Sequence, residues 1–297
     1  GIKTFNNFSL KTLREYFDWT FFFLAWELKA MYPEIMDDPK YAEEAKRLMK
    51  EANEYLDMLI EKNEIVANGV VGIFPANSVS DSVEVYDEVT GELKETFHML
   101  RQQHERRENE KNLSLSDYIA PKESGYKDYI GAFAVTGGIN ADEIADVFKK
   151  DNDDYSSLMI RVLATRFAEA FAEWLHEEVR KELWAYASDE NLSIQEKLRS
   201  KYKGIRPAVG YPSLPDHSEK KTLFKLLDVE KNTGITLTEN FAMAPGASVS
   251  GLIFGHEDAK YFNITKLCRD QVEDYAKRKG MSIEEIEKNL AHNLSYK

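Results

Sequence analysis

A single cysteine, Cys268, in 297 residues excludes an internal disulfide and any cysteine-based zinc cluster, and it fits a reducing cytoplasm. No apolar run approaches the roughly 20 residues that a membrane-spanning helix needs. The greasiest stretch, Phe21 to Trp26, is ended by Glu27 and Lys29. Lysine and arginine number 39 against 52 acids, a net charge of −13, so no cationic surplus exists to neutralise nucleic-acid phosphates. A Rossmann-type nucleotide site is also excluded: Gly137-Gly138 lacks both the G-x-G-x-x-G pattern and a helix at the right offset. The G-x-S-x-G elbow of a serine hydrolase is missing too. The opening Gly1-Ile2-Lys3 and the polar residues after it do not form a signal peptide.

What is present is a globular composition, 43% hydrophobic and 12% aromatic, with no repeat, linker or low-complexity tract, so one domain over 1–297 is expected. Tyr41, Ala45, Leu48, Ala52, Tyr55 and Leu59 mark an amphipathic helix. A second, longer helix is predicted from Tyr155 to Trp184, and shorter ones over 141–150 and 222–227. Capping boxes at Ser193 and Ser282 open two more, and Gly280 stops the helix between Leu267 and Ala276. Gly69 to Pro75 reads as a buried strand stopped by proline, and Val83 to Phe97 as a hairpin. Tyr129 to Gly138 reads as a buried strand, and Pro245 to Phe254 with Lys260 to Ile264 as a second hairpin. Leu100 to Asn112 and the basic cluster Lys277-Arg278-Lys279 are expected on solvated surfaces. Strands joined by turns, with helices grouped apart, predict an α+β fold on an antiparallel sheet.

The segment Arg206 to Lys220, R-P-A-V-G-Y-P-S-L-P-D-H-S-E-K, holds three of the eight prolines. Each proline fixes its own φ and extends the residue before it, so the segment is a stiff loop rather than a helix interior or central strand. Asp216 and Glu219 have capping-box spacing ahead of Leu223, Leu226 and Leu227. Arg206 at the far end is either a surface arginine or a planar fork for a carboxylate. Asp18 is either the N-cap of a helix starting near Thr20 or an acceptor for a ligand ammonium or hydroxyl. Glu169, Glu173 and His176 share a helix face. That face is either solvated or presents a buried Glu169 to a ligand; it is a weak metal site, and no metal is assigned. Asp216-His217 as a hydrolytic pair is a poor reading, because adjacent residues seldom orient as acid and base.

The motif R-P-A-x-G-Y-P-x-x-P-D-H-x-E-K resembles the S-adenosylmethionine-binding signature of the activation domain of cobalamin-dependent methionine synthase. The resemblance extends over essentially the whole chain, through F-D-W-T, G-V-V-G-I-F-P-A-N, L-R-Q-Q, D-Y-I-G-A-F-A-V-T-G-G, A-E-A-F-A-E-W-L-H-E-E-V-R-K, P-G-A-S-V-S-G and R-D-Q-V-E-D-Y-A-K-R-K-G-M-S. It implies a C-shaped domain on a long bent antiparallel sheet, and, with Gly1 in place of an initiator Met, a piece of a longer chain. It further implies that Asp18 recognises the ligand's amino group and Arg206 its carboxylate. Tyr261 and Phe262 fall at the family's Tyr-Tyr pair, Tyr211 near the cobalamin face and Glu169 by the methyl-transfer site. The implied function is reductive methylation of inactive cob(II)alamin to methylcobalamin, which restores an enzyme that methylates homocysteine from 5-methyltetrahydrofolate. Cobalamin then belongs to a neighbouring domain of the same enzyme, flavodoxin or a flavoprotein reductase donates the electron, and zinc serves only the full enzyme. The chain itself lacks the D-x-H-x-x-G cobalamin-ligand motif and a cysteine pair for that zinc. The alternative reading is a stand-alone S-adenosylmethionine-binding regulatory module without redox chemistry.

Overall fold

Strands alternate with helices unevenly along residues 1–105 and 110–296, the portion that the computed structural model describes. The strands are β1 (Ile2–Phe5), β2 (Val66–Val79), β3 (Ser82–Tyr86), β4 (Leu93–His98), β5 (Asp128–Ile139), β6 (Thr236–Leu237), β7 (Met243–Ala244) and β8 (Ser248–Ile253). The main sheet runs β4-β3-β2-β5-β8, and β6 with β7 forms a separate small hairpin. All these strand pairs are antiparallel. The sheet is open, and the fold is α+β as the element pattern predicts.

Two cores form because successive strand side chains point to opposite faces. Val71, Phe133, Val135 and Ile253 enter one core. It is closed by α1 (Leu10–Arg14), α2 (Trp19–Ala25), α3 (Ala42–Lys62), α4 (Ala141–Lys150) and α5 (Asp154–Glu178). Their neighbours Val70, Ala132, Ala134, Leu252 and Phe254 enter the other. After α6 (Ile194–Leu198), that second face is covered by α7 (Glu219–Leu227), α8 (Val229–Thr233), α9 (Arg269–Lys279) and α10 (Ile283–Asn289). Among the described residues no helix is long and apolar enough to cross a membrane.

Five expectations change in the fold. Pro75 does not stop β2, which continues to Val79. The reason is that β2 changes partner there: β1 pairs Gly69 to Gly72, and β3 pairs Ala76 to Val79. Ile73 N–H, two residues before Pro75 on the same edge, bonds Gly1 O, so the missing proline N–H falls in the gap between β1 and β3. Next, Lys260 to Ile264 is not a strand. The edge of β8 is already taken by the proline-rich loop, where Ile205 N–H bonds Phe254 O at 3.0 Å and Val209 N–H bonds Ser250 O at 3.1 Å. Gly251 permits this, since a Cβ there would lie 2.5 Å from Pro207 O.

The remaining changes are electrostatic. Asp216 and Glu219 form no capping box: Asp216 Oδ1 accepts from Ser218 N–H, and Glu219 turns to His98 N–H and Lys279. Of the basic cluster only Lys277 is solvated, since Arg278 Nη1 donates to Asp81 O and Lys279 Nζ lies buried. Within the run 100–112, Leu100 and Gln102 are buried and Arg101 bridges Asp81 (2.6 Å) and Asp117 (2.7 Å). The part of that run over 106–109 lies outside the described residues.

Candidate functional site

Three elements meet at the edge of β8: the start of α2, one face of α5, and the loop from Ser200 to Tyr211. They enclose a cavity of about 300 Å³ lined by Asp18, Phe21, Arg166, Glu169, Glu173 and Arg206. It shares Glu169, Ser200, Arg206 and Tyr211 with a neighbouring cavity of about 250 Å³ that reaches Tyr261. The two make one cleft.

Asp18 takes the N-cap role and leaves one carboxylate oxygen uncommitted. Its Oδ1 accepts from Thr20 N–H at 2.9 Å and caps α2, while Oδ2 has no partner among the described residues. The cap fixes the carboxylate at the cleft wall. Along α5 and the π-helical turn Val179–Leu183 that continues it, Arg166, Glu169, Glu173, His176 and Arg180 recur three or four residues apart, so this face presents them as one stripe. Glu169 is half-buried, Glu173 is 3% exposed and His176 is 1% exposed. Burial pushes the His176 imidazole well below its usual range, aided by the Arg180 and Arg206 charges, so it is neutral. The solvated-face reading of this stripe is therefore corrected: the helix packs it inward.

Arg206 is fixed through its backbone and its head. Its N–H donates to Tyr261 Oη at 3.0 Å, and its Nη2 donates to Glu173 Oε2 at 2.8 Å. Burial alone lowers a guanidinium pKa; the Glu173 carboxylate outweighs it and raises that of Arg206. Arg166 shows the opposite balance. Burial holds it below its usual value, and Glu169 and Asp18 offset this only in part. Its guanidinium lies 5.6 Å from the Phe21 ring centroid. Tyr211 stands at the cleft mouth, 60% exposed, its phenol pKa raised by burial and then by Glu169.

The cleft thus gathers Asp18, Glu169, Arg206, Tyr211 and Tyr261. Phe262 is not brought with them. Its ring is 8% exposed in the second core, and its backbone O accepts from Ser213 Oγ. Tyr261 and Phe262 still point to opposite sides, as adjacent extended residues do. The sequence reading passes over Arg166 and gives Glu173 no role of its own. The spacing of Arg166, Glu169 and Glu173 (i, i+3, i+7) is the signal that reaches both. Among the described residues no group of three His, Cys, Asp or Glu side chains is arranged to hold a metal ion.

Three acids and two arginines around a cleft with aromatic walls suit a small cation or zwitterion carrying a flat ring. With the open sheet beneath it, this defines an α+β domain organised around one charged cleft. Residues 9–280 match the family described as "Vitamin B12 dependent methionine synthase, activation domain", and the chain belongs to that family. A solved structure, "Crystal Structure of the MetH Reactivation Domain bound to AdoHcy", is similar at a TM-score of 0.97 and 53% identity, over 100% of this chain and 91% of that one.

Proposed function

We propose that the cleft binds S-adenosylmethionine, and that the 297 residues act as one domain of a methionine synthase that restores methylcobalamin from cob(II)alamin. The observation that carries this reading is the arrangement of Asp18, Glu169 and Arg206 around one cleft whose family relative is described with AdoHcy bound. S-adenosylmethionine has an ammonium, a carboxylate, a sulfonium and an adenine. Asp18 suits the ammonium, because its Oδ2 is uncommitted. Arg206 suits the carboxylate, because Nη1 has no partner among the described residues and, unlike Nε, is not sealed from solvent. Three acids against Arg166 and Arg206 leave the cleft one negative charge in excess, which complements the ligand's net positive charge.

Tyr211 and Glu169 stand at the open side, where a cobalamin held by a neighbouring domain has access. Their role in the reaction is positioning and placing negative charge by the sulfonium. A cobalamin held there would supply, once flavodoxin or a flavoprotein reductase had given it one electron, the electron pair for a new bond to the methyl, as the methyl–sulfonium bond breaks and S-adenosylhomocysteine leaves. The completed enzyme then methylates homocysteine from 5-methyltetrahydrofolate.

Calorimetric titration of S-adenosylmethionine tests the reading. One-to-one binding, weakened by about 1.5 kcal/mol or more in Arg206→Ala, is the expected result. A folded protein that binds no S-adenosylmethionine, alone or with its cobalamin domain, sinks it. Tyr211→Phe and Tyr211→Ala separate reactivation from mere binding. Both are expected to slow methylcobalamin recovery while leaving ligand affinity nearly intact.

A further inference from the structure

The stripe on α5 makes an ion pair with Arg206 of the loop that the ligand reading leaves without a role. Glu173 is 3% exposed, and only its Oε2 is bonded, to Arg206 Nη2; Oε1 is buried and has no partner. Arg206 Nε is likewise buried and unpartnered. Six buried side-chain polar atoms lack partners among the described residues, and four belong to this column: Glu173 Oε1, His176 Nδ1, Arg180 Nη1 and Arg206 Nε. A pair selected for stability alone has its remaining lone pairs and protons satisfied; this one does not.

We propose that Glu173 is a positioning residue for ligand binding: it holds one edge of the Arg206 guanidinium so that Nη1 faces the carboxylate of an amino-acid-bearing ligand. The inference rests on the reading of the cleft given above. Glu173 itself cannot swing away. Its helix is pinned two turns further on, where fully buried Arg180 donates from Nε to both Glu190 oxygens (3.1 and 2.9 Å) and from Nη2 to Oε1 (2.7 Å). The base of Arg206 is equally fixed, by Tyr261 Oη at its N–H and by the β8 edge on both sides. A long side chain anchored at both ends loses little entropy when it takes up a ligand. Glu173 does not compete for the fork. One oxygen occupies one of five N–H donors, and the open Nη1 is untouched.

The roles of positioning group, competitor and structural brace separate in one experiment. S-adenosylhomocysteine and 5′-methylthioadenosine, which lacks the amino-acid end, are titrated into the wild-type protein and Glu173→Gln, with melting temperatures recorded. A positioning role predicts that Glu173→Gln binds S-adenosylhomocysteine about tenfold more weakly. It also predicts that 5′-methylthioadenosine binds both proteins alike. Equal weakening of both ligands, unchanged affinity, or tighter binding of S-adenosylhomocysteine each overturns the inference. If Glu173→Gln does not fold, Glu173→Asp, which keeps the charge and withdraws it by one methylene, carries the same test. Failure of the underlying reading looks different: the wild-type protein then binds neither ligand, and Arg206→Ala changes nothing.

Discussion

The proline-rich loop has a buried ion cluster at each end, and the two differ in how completely they are satisfied. At the far end, Lys279 Nζ donates to Asp216 Oδ2 (2.9 Å), Ser218 Oγ (2.8 Å) and Glu219 Oε1 (2.5 Å), and Tyr275 Oη donates to Asp216 Oδ2 at 2.9 Å. All three ammonium protons are used, and the two carboxylates are 1% exposed. Burial raises both carboxyl groups; the Lys279 charge reverses this at Asp216 and does not at Glu219. At the near end, Arg206 and Glu173 share a single hydrogen bond and leave donors and an acceptor open. A complete network locks the loop against α9, whereas an incomplete one keeps donors available for a ligand. The difference separates scaffold from candidate site more sharply than burial does.

Breaking the complete cluster is expected to have the largest effect. Lys279→Met leaves two acids buried without a counter-ion and is expected to cost about 3–5 kcal/mol, read by denaturant unfolding. A loss no greater than that of an exposed charge removes the contrast between the two ends. Arg206→Ala is expected to cost less stability than Lys279→Met, because it strands one buried carboxylate, Glu173, rather than two, and in addition to weaken ligand binding.

Asp18→Asn sharpens the comparison further, since asparagine caps a helix as well as aspartate does. Its melting temperature is expected to match the wild type while S-adenosylmethionine binds more weakly. Equal affinity would leave Asp18 a cap and nothing more. The smallest effect is that of pH on the scaffold. Burial, and then the Arg278 and Lys279 charges, hold His98 down to about 4 from an ordinary 6.5. Its folded form therefore favours the neutral ring, so its contribution is complete above pH 6.5 and is lost as pH falls toward about 4. Thermal melts of the wild type and His98→Asn over that range are expected to converge as the solution is acidified. Parallel curves would mean that this ring does not couple folding to pH.

Much of the fold was legible because its signals are local. The 4-3-4 spacing in α3, the serine caps at Ser193 and Ser282 and the glycine stop at Gly280 each depend on a few neighbouring residues, and each appears where expected. The misread elements depend on distant partners. Pro75 is tolerated because β1 and β3 leave a gap, and Lys260 to Ile264 lost its strand to a loop from 50 residues earlier. Lys279 reads as solvated until Asp216 and Glu219 are brought beneath it.

The site divides in the same way. Motif and helix spacing by themselves determined which residues are candidates: an acid at Asp18, a fork at Arg206 and acids along one face of α5. Only the tertiary structure decided that these line one cleft, that Phe262 turns into the core, and that Glu173 takes hold of Arg206. Spacing along a helix or strand is set by bonds a few residues long. Which faces meet is set by burial and by the pairing of charges that approach only when the chain closes on itself.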